Sequence, residues 1–210
     1  MALIQNVVFT IGHSTHPQER FIALLREYGI TALCDVRSNP YSRINPQFNR
    51  DDLKASLQRS GIKYVFLGKE LGARSDDPAC YDAGKVKYDR LGRSDLFQRG
   101  LERLQRGMRH YRLALMCAEK EPLECHRAIL IARHLADLGI DVQHILADGR
   151  LESHGDALRR LVQMLNSSEH DIFRSREEVV ADAYLRQELR IAYDTSEASR
   201  KKAITKGVGA

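Results

Sequence analysis

Short apolar stretches alternate with amphipathic ones along most of the chain. Residues 3–11 (LIQNVVFTI) are apolar and β-branched and halt at Gly12, the pattern of a strand buried on both faces. Ser14-Thr15-His16-Pro17 then opens a helix, with Pro17 near its first position. Phe21, Leu24, Leu25 and Tyr28 carry the helical spacing until Gly29. Residues 31–36 (TALCDV) predict a second strand, the Asn-Pro pairs at 39–40 and 45–46 a loop, 50–58 a helix and 64–67 (YVFL) a third strand. Residues 68–91 lack sustained periodicity and read as a long functional or mobile loop.

Beyond it, residues 94–111 carry Leu96, Phe97, Leu101, Leu104 and Met108 on one helical face. A fourth strand is expected at 113–118, a helix at 123–138, a fifth strand at 142–147 and a helix at 155–165. This alternation predicts an α/β fold: a three-layer, mostly parallel, Rossmann-like sheet of about five strands with helices on both faces. The expected α/β domain spans residues 1–165. Residues 166–210 form a C-terminal helical extension, with a linker at 166–168, an amphipathic helix at 176–192 that is a candidate dimerisation element, and a frayed tail from 199.

In a parallel sheet the site forms at the carboxyl ends of the strands. The expected ends here are loaded with Gly12-His13-Ser14, Asp35-Val36-Arg37-Ser38, Gly68-Lys69-Glu70, Ala118-Glu119-Lys120 and Asp148-Gly149-Arg150, with Cys125-His126-Arg127 at the next helix start. Asp35 and Arg37, two apart at a strand end, point to the same side. Either Asp35 handles a proton or positions substrate beside an anion-clamping Arg37, or the two form an internal ion pair. Pro122 suits a first helical turn and places Cys125 in the field of a helix N-terminus, which favours the thiolate. Cys125 then reads as a nucleophile or ligand, His126 as acid/base, Arg127 as an anion contact and Glu119 as a general base or substrate anchor. In the alternative, Cys125 is a small buried hydrophobe and His126 bonds a neighbouring carbonyl. Cys117 reads as core packing and His144 as a satisfied core histidine.

Composition narrows the classes. The 210 residues are 43% hydrophobic and 29% charged, enough to bury a core. No apolar run approaches the ~20 residues that span a bilayer, and the N-terminal stretch lacks a signal peptide's basic flank, so no membrane partner and a cytoplasmic location are expected. Four cysteines without a CxxC pair make no disulfide framework. There is no GxGxxG, no Walker loop, and Leu123 stands where a Cys-x5-Arg loop from Cys117 needs Arg. His13, Cys117, Cys125 and His126 come from separate elements without compact zinc spacing, so no metal ligand or cofactor is assigned. The net charge of +5 decides nothing alone. Arg37, Arg43, Arg50, Lys69 and Arg74 flank the crevice, and Arg99, Arg103, Arg106 and Arg109 make a row on one helix.

Taken together, Thr10-Ile11-Gly12-His13-Ser14, Asp35-Val36-Arg37 with Pro40, Leu67-Gly68-Lys69-Glu70-Leu71-Gly72, and Met116-Cys117-Ala118-Glu119 with Cys125-His126-Arg127 resemble the "domain of unknown function 488" family of bacterial and archaeal proteins. The resemblance covers roughly residues 7 to 155. It implies an α/β domain with signature positions His13, Ser14, Asp35, Arg37, Gly68, Gly72, Glu119, Cys125, His126 and Arg127, and leaves the reaction open. Three readings follow. The first is an enzyme with Asp35, Glu119, Cys125 and His126 as catalytic groups. In it His13, Ser14, Arg37, Gly68, Lys69, Gly72, Arg74 and Arg127 bind a phosphate-bearing small molecule, nucleotide or nucleic-acid end. The second is a non-catalytic nucleic-acid or nucleotide-binding module using the arginine row. The third is a metal-dependent enzyme built on His13, Cys125 and His126.

Overall fold

β-Branched and apolar runs four to six residues long cannot bury both faces alone, so they pair. In the computed structural model, which describes residues 6–165 and 174–196, they form one sheet ordered β3-β2-β6-β1-β7-β8. Its strands are β1 (Val7–Gly12), β2 (Ala32–Asp35), β3 (Lys63–Phe66), β6 (Leu113–Cys117), β7 (Asp141–Ile145) and β8 (Leu151–Ser153). The first five pair in parallel and β8 runs antiparallel to β7. The helices α1 (Gln18–Glu27) and α2 (Arg50–Arg59) cover one face, packing on Phe9, Ile11, Leu33 and Met116. The other face carries α5 (Asp95–Met108), α7 (His154–Met164) and α8 (Arg176–Ile191), giving the three-layer α/β architecture.

Three local readings are corrected. Residues 68–91 are not a loop. They hold α3 (Gly68–Leu71), a 3₁₀ turn at Pro78–Cys80, a hairpin of β4 (Tyr81–Asp82) and β5 (Lys85–Val86), and α4 (Tyr88–Arg93). Elements this short have too few residues to show a period. Tertiary bonds set them: Glu188 of α8 accepts from the Tyr88 N–H at 3.0 Å, and Val86 N–H donates to the Tyr193 carbonyl at 2.9 Å.

Residues 123–138 are not one helix. Pro122–Glu124 is a 3₁₀ turn capped by the Glu121 side chain, and Cys125 is extended (φ −139°, ψ 142°). A π-helical Arg127–Ala132 follows, running into α6 (Arg133–Asp137). Asp148-Gly149-Arg150 is the turn of the β7–β8 hairpin, where Gly149 takes φ +96° and Asp148 pairs with Arg150 at 2.8 Å. β8 thus joins the five expected strands as a short antiparallel sixth. Residues 3–5 of the expected first strand, the linker at 166–168 and the tail from 199 lie outside the described residues. No helix among the described residues is long and apolar enough to cross a membrane.

The C-terminal helix is joined to the sheet by a buried polar chain. Thr10 Oγ1 and His144 Nδ1 lie 2.8 Å apart, His144 Nε2 and His154 Nδ1 3.1 Å, and His154 Nε2 and the Tyr184 hydroxyl 2.8 Å. One proton per ring satisfies all three bonds, so both imidazoles are neutral. Burial lowers the His154 pKa from 6.5 to about 4, and burial with the neighbouring His154 lowers that of His144 well below its ordinary value. Below pH 6.5 the unfolded chain takes up a proton that folded His154 refuses until about pH 4. Its contribution is thus complete above pH 6.5 and is lost as pH falls toward 4. On lowering the pH from 7 to 5 the loss from His154 is about 2 kcal/mol. Denaturant unfolding at the two pH values is expected to show it, and to show a smaller drop in His154→Gln; an equal drop in both contradicts this origin.

Candidate functional site

The carboxyl edge of the sheet closes around one buried cation. Arg127 is 1% exposed; its Nη1 donates to the Glu119 carbonyl at 2.8 Å and its Nη2 to the Lys120 carbonyl at 3.1 Å. The residue expected to meet an anion is instead turned inward, pinning the chain that leaves β6. Gly12 makes this fit: a Cβ there would lie 1.8 Å from the Glu119 oxygen. β1 continues alongside, with His13 N–H donating to the Cys117 carbonyl and Ser14 N–H to that of Ala118, both at 2.9 Å.

Cys125 stands at the N-terminus of the helical segment. Its carbonyl accepts from the N–H groups of Ala128 (3.1 Å) and Ile129 (3.2 Å), and the Arg127 N–H points at its sulfur at 3.5 Å. The thiol thus lies in the helix field just ahead of the N-cap His126 rather than inside a first turn begun by Pro122. Its Sγ lies 3.0 Å from Glu119 Oε2, the distance of a hydrogen bond with one shared proton. His126 Nδ1 lies 3.7 Å from Cys117 Sγ and 3.8 Å from Cys125 Sγ, and its Nε2 is 3.1 Å from the Val36 carbonyl.

Burial works to raise the Cys125 pKa, but the Cys117 thiol and the charges of Arg127 and His126 bring it well below the ordinary thiol value. Cys117 goes well above, through its bond to Cys125 and burial. Burial would lower His126, and Cys125 raises it. Glu119 is open to solvent at the cavity mouth, yet enough protein surrounds its carboxyl that burial and then Cys125 raise it. Cys34, buried in β2, is pushed up to about 12 and is inert.

These groups face a cavity of about 230 Å³. Arg37, Ser38 and Asn39 line it after β2, Cys117 and Glu119 after β6, and Cys125 and His126 from the helix start. Tyr88 and Arg74 come from the segment expected to be a loop, and Ile191 and Tyr193 from the C-terminal end. The Arg74 guanidinium stacks on the Tyr193 ring at 4.4 Å and makes no ion pair among the described residues. Neither C-terminal residue carried a sequence signal, since the contact spans more than a hundred positions. Cys117, expected as packing, adds a second sulfur.

The other expected site residues fall elsewhere. Asp35 is fully buried and saturated: it accepts from Arg37 Nε (2.9 Å), Arg37 Nη2 (2.7 Å) and the Tyr64 hydroxyl (2.8 Å). The internal ion pair is the arrangement present, and Asp35 orients Arg37 rather than facing the cavity. His13 stacks on Phe48 at 4.4 Å, with Nδ1 at the Ser14 carbonyl and Nε2 3.3 Å from Arg37, so it stands apart from the two sulfurs. With Ser14 it lines an adjoining hollow of about 390 Å³ that shares Arg37 and Asn39 with the cavity. Gly68 and Gly72 are points of close backbone approach, where a Cβ would lie 2.0 Å from the Arg37 oxygen and 2.4 Å from Ser38 Oγ. Lys69 is exposed and lines neither space. The arginine row on α5 is exposed and outside both, and Arg103 pairs with Glu70.

A family model described as "Domain of unknown function DUF488" matches residues 17–134. The chain belongs to that family. No curated protein and no solved structure matches it. The DUF488 segment contains Arg37, Cys117, Glu119 and Cys125-His126-Arg127, whereas His13, Ile191 and Tyr193 lie outside it.

Gly12→Ala is expected to push the Glu119 carbonyl off Arg127 and to lower the unfolding free energy by at least about 2 kcal/mol. Urea denaturation checks this; a change under about 0.5 kcal/mol contradicts the close approach.

Proposed function

We propose that this chain is an enzyme whose active site is the cavity at the carboxyl edge of the sheet, acting on a small phosphate-bearing substrate. The observation that carries the reading is convergence. Two carboxyl residues (Glu119 and Glu124), two thiols, one imidazole and one guanidinium free of acidic partners meet on a single concave surface built from four separate parts of the chain. Arg74 holds the anion, with Ser38 and Asn39 beside it. Glu119, within a hydrogen bond of Cys125 and open to the cavity, moves the proton. The sulfur centre supplies or tunes the nucleophile, so the chemistry is hydrolysis or group transfer. Asp35 and Arg127 act through others: one orients Arg37, the other holds the Glu119 backbone.

A volume of about 230 Å³ takes a small molecule rather than a polymer. Ile191 and Tyr193 form the wall that sets this limit, and a longer ligand continues past Arg37 into the hollow beside His13. A nucleic-acid tract finds no comparable support, because the α5 arginines face solvent away from the cavity.

The test is turnover by purified protein against a panel of small phosphate esters, phosphoanhydrides and carboxylate esters. Glu119→Gln is expected to lower kcat at least 100-fold. Arg74→Ala is expected to raise KM about tenfold or more with a smaller change in kcat, and both variants keep the wild-type melting temperature. Full activity in Glu119→Gln contradicts the assignment.

A further inference from the structure

We infer that Cys117, Cys125 and His126 form a zinc site with its fourth position open to the cavity. The inference rests on the reading of the cavity as an active site only for what the metal does there, not for whether it binds.

Three ligand atoms, two Sγ and Nδ1, lie within 4.8 Å of one another, and all three residues are buried. The two sulfur–nitrogen separations are nearly equal, 3.7 and 3.8 Å. A tetrahedral zinc ion with Zn–S of about 2.3 Å and Zn–N of about 2.0–2.1 Å has S···N edges of about 3.6 Å. A single hydrogen bond at Nδ1, given or accepted, accounts for one sulfur contact; a cation between the three atoms accounts for both. The far side of the ring agrees. The Val36 carbonyl can only accept, so the 3.1 Å contact places a proton on Nε2; with zinc in place of the Nδ1 proton, the Nδ1 lone pair faces the sulfurs. Metal-bound histidines are oriented by such a second bond.

The rest of the surroundings suits a thiolate at Cys125. The Arg127 N–H points at Cys125 Sγ, and the Arg127 guanidinium is buried without an acidic partner among the described residues. The extended backbone at Cys125, between a 3₁₀ turn and a π-helical segment, is what brings its sulfur up to the end of β6. Soft sulfur with imidazole selects zinc over magnesium or calcium, and three protein ligands leave a position for water. Glu119 Oε2 borders that position, 3.0 Å from Cys125 Sγ. Zinc on Cys125 would displace the proton this thiol shares with Glu119, freeing the carboxylate to take a proton from zinc-bound water as that water's oxygen adds to the electrophilic phosphorus or carbonyl carbon; the leaving oxygen, as its bond to that atom breaks, would take the proton back from Glu119.

The experiment is zinc analysis of full-length protein purified under reductant and without chelator, followed by cobalt(II) titration of the stripped protein. About one zinc per chain is expected, and cobalt is expected to give the intense near-ultraviolet absorption of thiolate coordination. Cys117→Ala, Cys125→Ala and His126→Ala should each weaken metal binding more than about 100-fold, whereas Cys80→Ala should bind as the wild type does. Circular dichroism separates metal loss from unfolding. A folded, reduced wild type that binds neither metal, or three ligand variants that are folded and bind as the wild type does, overturns the site. Glu119→Gln that keeps activity while zinc remains bound refutes the proposed catalysis and leaves the metal site standing. An inactive Glu119→Gln in a protein that binds no zinc does the reverse.

Discussion

A guanidinium buried without an acidic partner is costly unless its donors find acceptors, and that constraint organises the carboxyl edge of this sheet. Arg127 finds them for Nη1 and Nη2 in the Glu119 and Lys120 carbonyls, while its Nε has no acceptor among the described residues. In doing so it fixes the direction in which the chain leaves β6 and hence where the Glu119 carboxyl stands. The same residue follows the N-cap of the helical segment, so its backbone N–H reaches the Cys125 sulfur. One side chain therefore sets both sides of the carboxyl–thiol contact, and Gly12 is required because nothing larger fits between β1 and that turn.

The other boundary of the site is made by the end of the chain. α8 is held to the sheet through Tyr184, His154, His144 and Thr10, to the Pro122–Glu124 turn through Gln187 and to α4 through Glu188. Those bonds place Ile191 and Tyr193 against the cavity, and Tyr193 in turn supports Arg74. The DUF488 segment thus carries Glu119, the two cysteines and His126, while Ile191 and Tyr193 on the cavity wall come from outside it.

Hydrophobic periodicity alone reveals the order of strands and helices, because a buried strand and an amphipathic helix each impose their own repeat. The loaded strand ends likewise point to the edge where the cavity lies, and Glu119, Cys125 and His126 line it. What stays hidden is direction. Arg127 and Arg37 look alike in sequence, yet one reaches inward to carbonyls and the other is locked by Asp35. Cys117 looks like strand core because its neighbours are apolar, and only the approach of Cys125 from the next element makes it part of a cluster. The two sulfurs stand eight positions apart around an extended residue, so no ligand spacing betrays them. Elements of two to six residues between 68 and 93 depend on α8 and the following segment for their caps and pairing, which no local window contains.

X-ray absorption at the zinc edge of the purified protein tests coordination by the two sulfurs and the imidazole. The predicted first shell is two sulfurs at about 2.3 Å, one nitrogen at about 2.0–2.1 Å and one further light atom. A shell of oxygen and nitrogen alone, without sulfur, would contradict it.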